Sequence, residues 1–217
     1  PDSSGTVTVD GAESKWTNTN GLFVGLNGSG ALNIQNGGKV SNAFGFIGNV
    51  SSSLGTATVD GAGSTWTNTG VLAVGAYGAG TLNVQNGAAV SSGWGNIADQ
   101  SDSSGTVTVD GAESKWTNTG NLFVGLKGTG ALNIQNGGAV SNDFGFIGHL
   151  SGSSGTATVD GAESTWSNSG LLAVGVLGTG TLKVQNGGTV SNVRGEIGGQ
   201  SGSSGSATVD GTGSTWS

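Results

Sequence analysis

"GTVTVDGAESKW", Gly5–Trp16, returns without a change at Gly105–Trp116. Between the two copies stands "GTATVDGAGSTW", Gly55–Trp66, and beyond them "GTATVDGAESTW", Gly155–Trp166. Recurrence at a fixed interval is the mark of a repeat architecture, and the interval decides which one. The rows align at a period of 50, and rows 1–50 and 101–150 resemble each other more than the rows between, as a duplicated 100-residue unit would. Inside each fifty lies a weaker half-period: "GTVTVDG" at Gly5 is answered by "GALNIQNG" at Gly30, then by "GTATVDG" at Gly55 and "GTLNVQNG" at Gly80.

Each half-period carries three short alternating runs. They are "TVTVD", "SKWTN" and "LFVG" in the first, and "ALNIQ", "KVSN" and "GFIG" in the second. Alternation of period two is the strand signal, no window holds a helical period, and Gly, Asn, Ser and Asp punctuate the runs as turn residues do. Such a unit cannot bury its apolar face alone, so it must stack on the next. The expected fold is all-β: a right-handed parallel β-helix with three strands per coil and about 25 residues per coil. Residues 1–217 form a single array of 50-residue repeats of two coils each, truncated at both ends. At a strand spacing of ~4.8 Å the array is a rod roughly 40 Å long.

Alternation also assigns the faces. Val7, Val9, Leu32, Ile34, Ala57, Val59, Leu82 and Val84 point inward from the first sheet. Leu22, Val24, Ile47, Leu72, Val74 and Ile97 do so from the third. In the second, Trp16, Val40, Trp66, Val90, Trp116, Val140, Trp166 and Val190 alternate large with small, as interdigitating core layers do. A one-residue slip of register would instead put the tryptophans outside, as platforms for sugars. A buried indole N–H needs an acceptor, and Asn18, Asn68, Asn118 and Asn168 are the candidates. Thr6, Thr8, Lys15, Asn33 and Lys39 are expected outside.

Composition narrows the function classes. The net charge is -7 and only 9% of residues are charged, against the basic surface a nucleic-acid binder needs. No apolar run approaches the ~20 residues of a membrane helix. The absence of Cys leaves no disulfide framework. With neither a signal peptide nor an initiator Met, the chain reads as a piece of something longer.

The residues "GTVTVDGAESKWTN…LFVG…GALNIQNGGKVSN…FGFIG", with "VDGAGSTW" at Val59, "LNVQNGAAVSS" at Leu82 and the glycine pattern from Val74, resemble a known repeat. It is the repeat family associated with autotransporter (type V) secretion and with PEP-CTERM surface proteins of bacteria. The resemblance covers essentially the whole chain. It implies a β-helical passenger segment, displayed on a bacterial cell surface or secreted, of the kind that serves as stalk or adhesin. The family pattern supplies no catalytic residues.

Three chemistries are weighed on the residues. Asp10, Asp60, Asp110, Asp160 and Asp210 recur before glycine, but carboxylates two coils apart stand ~10 Å from each other, too far to share a calcium ion. Asp-Gly closing a strand is the plainer reading, and no metal or other cofactor is expected. An enzyme would need acid–base groups converging on one face, whereas the ionisable residues that break the repeat, Asp99, Asp102, Asp143, His149, Arg194 and Glu196, are scattered. No catalytic residue is assigned, and His149 reads as a solvated loop side chain. The Thr6/Thr8 and Thr56/Thr58 pairs suggest an ice-binding grid, but Asn33, Asn83 and Lys183 interrupt it.

One pattern stands out. Outward positions of the third sheet hold Phe23, Phe44 and Phe46, then Trp94, then Phe123, Phe144 and Phe146. Exposed apolar clusters mark interaction surfaces, unless loops such as "NVSSSL" fold over them. These seven residues are the expected interaction face, and self-association or a host or matrix surface the expected partner. The expected function is a stiff stalk for adhesion or self-association; a glycan-binding module or a polysaccharide-active β-helix enzyme is the alternative.

Overall fold

The computed structural model describes residues 3–217. It contains no helix and three parallel sheets of nine, nine and eight strands among the described residues. The first two coils set the pattern: β1 Ser4–Asp10, β2 Lys15–Thr17 and β3 Gly21–Val24, then β4 Ser29–Gln35, β5 Lys39–Asn42 and β6 Phe44–Ile47. β1 pairs with β4, β2 with β5 and β3 with β6, and this continues along the rod. The chain is a parallel β-solenoid, as the 25-residue half-period predicts.

The period of 25 holds residue for residue only in the first sheet, where Gly5 pairs with Gly30 and Gly30 with Gly55. In the second sheet Trp16 meets Val40, 24 residues on, and Val40 meets Trp66, 26 on. In the third, Leu22 meets Gly45, 23 on, and Gly45 meets Leu72, 27 on. Odd and even coils therefore differ in turn length, and the structural unit is the coil pair. Odd coils leave the first sheet through Gly11–Ser14, closed by Ser14 N donating to Gly11 O. Even coils use one residue fewer: Gly38 N donates to Gln35 O across Asn36 and Gly37, whose φ values of 53° and 85° are those of a type I′ turn.

Of the expected inward residues, Val9, Leu32, Ile34, Ala57, Val59, Leu82, Val84, Leu22, Val24, Ile47, Leu72, Val74 and Ile97 are all buried. Val7 is not; it is 41% exposed. It lines a concavity of about 490 Å³ with Trp16, Leu22 and Leu32, on the side of the first described coil that carries no neighbour. Asn33, expected outside, is half-covered by the strands on either side, while Thr6, Thr8, Lys15 and Lys39 are exposed.

Trp66, Trp116 and Trp166 are completely buried, so the tryptophans of the second-sheet ladder face the core, with Trp16 partly buried against it. Room for them comes from the third sheet, whose facing positions alternate Leu22, Gly45, Leu72, Gly95, Leu122 and Gly145. A Cβ placed on Gly45 would lie 3.1 Å from Trp66 Cζ2, and one on Gly95 2.7 Å from Trp116 Cζ2. The indole of one coil thus fills the space left by the glycine of the coil before it, as dense packing of the core requires.

The indole acceptors are not those expected. Trp66 Nε1–H donates to Asn42 Oδ1 at 2.7 Å, Trp116 to Ser92 Oγ at 3.0 Å and Trp166 to Asn142 Oδ1 at 2.7 Å. Each acceptor lies in the preceding coil, because an indole lying across the core reaches the neighbouring layer rather than its own strand. Asn68 and Asn168 stand one link further on: Asn42 Nδ2 donates to Asn68 Oδ1 and Asn142 Nδ2 to Asn168 Oδ1. Asn118 accepts from Ser92 Oγ, but its own Nδ2 and that of Asn18 have no partner.

Candidate functional site: an aromatic face on the third sheet

In the third sheet the inward residues flank outward ones two apart, so each coil presents two outward positions. Phe44, Trp94 and Phe144 occupy the first in alternate coils, and Phe23, Phe46, Phe123 and Phe146 occupy the second. All seven expected residues lie on this one face, in two kinds of environment.

Phe44, Trp94 and Phe144 are 42%, 51% and 38% exposed. Each rests on a glycine of the following coil. A Cβ on Gly70 would approach Phe44 Cε1 to 2.6 Å, one on Gly120 would approach Trp94 Nε1 to 2.5 Å, and one on Gly170 would approach Phe144 Cε1 to 2.6 Å. The rings are seated by backbone from beneath and open on the solvent side, so the loops do not fold over them. They recur every two coils, roughly 10 Å apart by strand spacing.

The second column stacks along the rod. Phe23 and Phe46 lie 5.2 Å apart with 11° between their planes, and Phe123 and Phe146 5.0 Å apart at 12°. Phe23 remains 45% exposed, but Phe123 is buried, a correction to its place on an exposed face. Trp94 covers it from the coil beneath, with centroids 6.5 Å apart, and Phe146 and His149 close over it. His149, expected as a solvated loop residue, packs 4.9 Å from Phe123 and 4.7 Å from Phe146. Its Nδ1 is buried without a partner, and desolvation pushes its pKa below the ordinary value. The corresponding place holds Asn49 two coils earlier than Asp99, and Asp99 accepts from Asn96 Nδ2 at 2.6 Å. The outward residue and the residue three positions on meet in both coils, Phe146 against His149 and Asn96 bonded to Asp99, whereas Phe46 is followed by Asn49.

Two exposed side chains that the strand pattern does not mark, Tyr77 and Leu177, stand beside this face, in loops whose backbone bonds to Gly48 and His149. The signal for them is departure from the repeat, since the corresponding positions hold Asn27 and Lys127.

The remaining repeat-breaking ionisable residues do not converge. Asp143 accepts from Ser169 Oγ, Arg194 pairs with Glu196 at the surface, and Asp99 is held by Asn96 and Gln100. The recurring aspartates face the turn: Asp10, Asp60, Asp110 and Asp160 accept from Asn36, Asn86, Asn136 and Asn186 Nδ2 at 2.6–2.7 Å. The amide of Asn36, with that of Gln35, holds the Asp10 carboxyl below its ordinary pKa. No family model, curated protein or solved structure matches the chain.

Proposed function

We propose that the chain is a stiff, surface-displayed segment of an exported bacterial protein, holding an adhesive aromatic face along one side of a rod. The observation that carries this reading is the row of Phe44, Trp94 and Phe144, well exposed, recurring every two coils and each seated on a glycine of the following coil. Continuous ladders in all three sheets supply the stiffness. The resemblance of the repeat to surface passengers supports the setting. Burying one phenylalanine at a partner surface contributes roughly 1.5–3 kcal/mol before ordering costs, so a periodic row makes a multivalent contact.

Lateral pairing of rods is the form of adhesion proposed, and the net charge of -7 opposes it until salt screens the repulsion. Sedimentation of the wild type against a Phe44→Ser, Trp94→Ser, Phe144→Ser variant at low and high salt tests it. The wild type associates, more strongly at high salt, and the variant stays monomeric. Wild-type monomers at both salts, or a variant that associates equally, defeat pairing through this face.

The roughly 10 Å recurrence of seated rings favours a second reading, a glycan-binding module, because that interval approximates one disaccharide of an extended β-1,4-linked chain. Retention of the wild type but not the triple variant on such a polysaccharide, with monomers in sedimentation, selects this reading. Release of reducing ends from the bound polysaccharide would mark the enzyme alternative.

A further inference from the structure

Four even coils turn through the same dipeptide: Asn36-Gly37, Asn86-Gly87, Asn136-Gly137 and Asn186-Gly187. Asparagine followed by glycine is the pair most open to self-modification. The glycine nitrogen, once it loses its proton, attacks the asparagine Cγ. A C–N bond forms, the side-chain nitrogen leaves as ammonia, and water opens the resulting cyclic imide to aspartate or isoaspartate. A protein repeating this pair in exposed turns would lose its stack with age unless something blocks the attack.

Both reacting groups are held, each by a different neighbouring coil. The attacking nitrogen is engaged from the coil that follows: Gly37 N–H donates to Ser64 Oγ at 3.0 Å, Gly87 to Ser114 at 2.9 Å, Gly137 to Ser164 at 3.1 Å and Gly187 to Ser214 at 3.0 Å. Ser64, Ser114 and Ser164 are completely buried. The hydroxyl proton is itself committed where Ser164 donates to Asp160 O at 2.7 Å, leaving its oxygen as acceptor toward Gly137. The leaving amide is engaged from the preceding coil by the Asp10, Asp60, Asp110 and Asp160 carboxylates. The Asn φ values, 53–55°, hold the type I′ turn in one conformation.

We infer that these four asparagines are latent deamidation sites, kept unreactive by the serine of the following coil and the aspartate of the preceding one. Deamidation at each turn then requires the two coils to part, and isoaspartate in this chain marks where the stack has opened. The serine is a protecting residue, and its role differs from a merely structural one because its loss acts on one turn.

The test follows each Asn-Gly peptide by mass spectrometry during incubation at mildly alkaline pH, in folded wild type, in Ser114→Ala and in urea-unfolded wild type. In Ser114→Ala, Asn86 deamidates about tenfold faster than in wild type, the equivalent of one hydrogen bond, while Asn36 and Asn136 in the same molecules keep the wild-type rate. In urea all four react at similar, fast rates. Unchanged reactivity of Asn86 in the variant overturns the role of the serine. Equal acceleration at all four turns also overturns it, because protection would then belong to folding as a whole. Folded wild type reacting as fast as unfolded chain overturns the protection itself.

Discussion

Trp66 and Asn42 join two coils through the core: the indole Nε1–H donates to the Asn42 carbonyl oxygen at 2.7 Å, and Asn42 passes its own N–H to Asn68 at 2.5 Å. Removing the first acceptor strands a buried donor. Asn42→Ala is expected to cost about 1–3 kcal/mol in urea denaturation. Asn42→Ser should cost far less, because Ser92 already fills this place for Trp116 with both bonds made. Trp66→Ala, which also opens a cavity, should cost ~3–5 kcal/mol.

Gly45 tests the matching of bulk across the core. A Cβ there would stand 2.5 Å from Asn68 Oδ1 and 2.7 Å from Leu72 Cδ1 as well as against the Trp66 ring. Gly45→Ala should destabilise by about 1–3 kcal/mol through overpacking. Trp66→Leu in the same chain should recover part of that loss, seen as a non-additive double-mutant cycle.

The odd-coil turn gives a substitution in the other direction. Gly63 and Gly213 adopt φ of 81° where Glu113 and Glu163 are held at 65° and 67°. A left-handed backbone costs a side-chain-bearing residue more than glycine's added freedom in the unfolded chain costs the fold. Glu113→Gly with Glu163→Gly should raise stability by about 0.5–1 kcal/mol per site, read as a higher denaturation midpoint at unchanged slope.

His149 sets a pH dependence. Desolvation beside Phe123 and Phe146 lowers its folded-state pKa below the ordinary 6.5, so the unfolded chain binds its proton more readily. Stability from this group is full above about pH 6.5 and falls as pH drops through the lower folded value. His149→Asn, which copies Asn49, should flatten the stability profile between neutral and mildly acidic pH. An unchanged slope would mean that His149 opens to solvent without cost.

The solenoid, its three strands per coil and the inward set of apolar residues were legible because a 25-residue period and a two-residue alternation leave little else for the chain to form. Local pattern also placed the seven aromatic residues on one face. Three things were settled only in three dimensions. The alternating registers of the second and third sheets depend on turn lengths that cancel within each 50 residues, so they leave the overall period untouched. The acceptor for each indole comes from the preceding coil, because side-chain reach across a layer, not proximity in sequence, selects it. The burial of Phe123 depends on Trp94 and on His149, residues outside its own strand whose side chains meet only when the coils are stacked. Repetition dictates the stack; contacts between layers decide which of its outward side chains remain free.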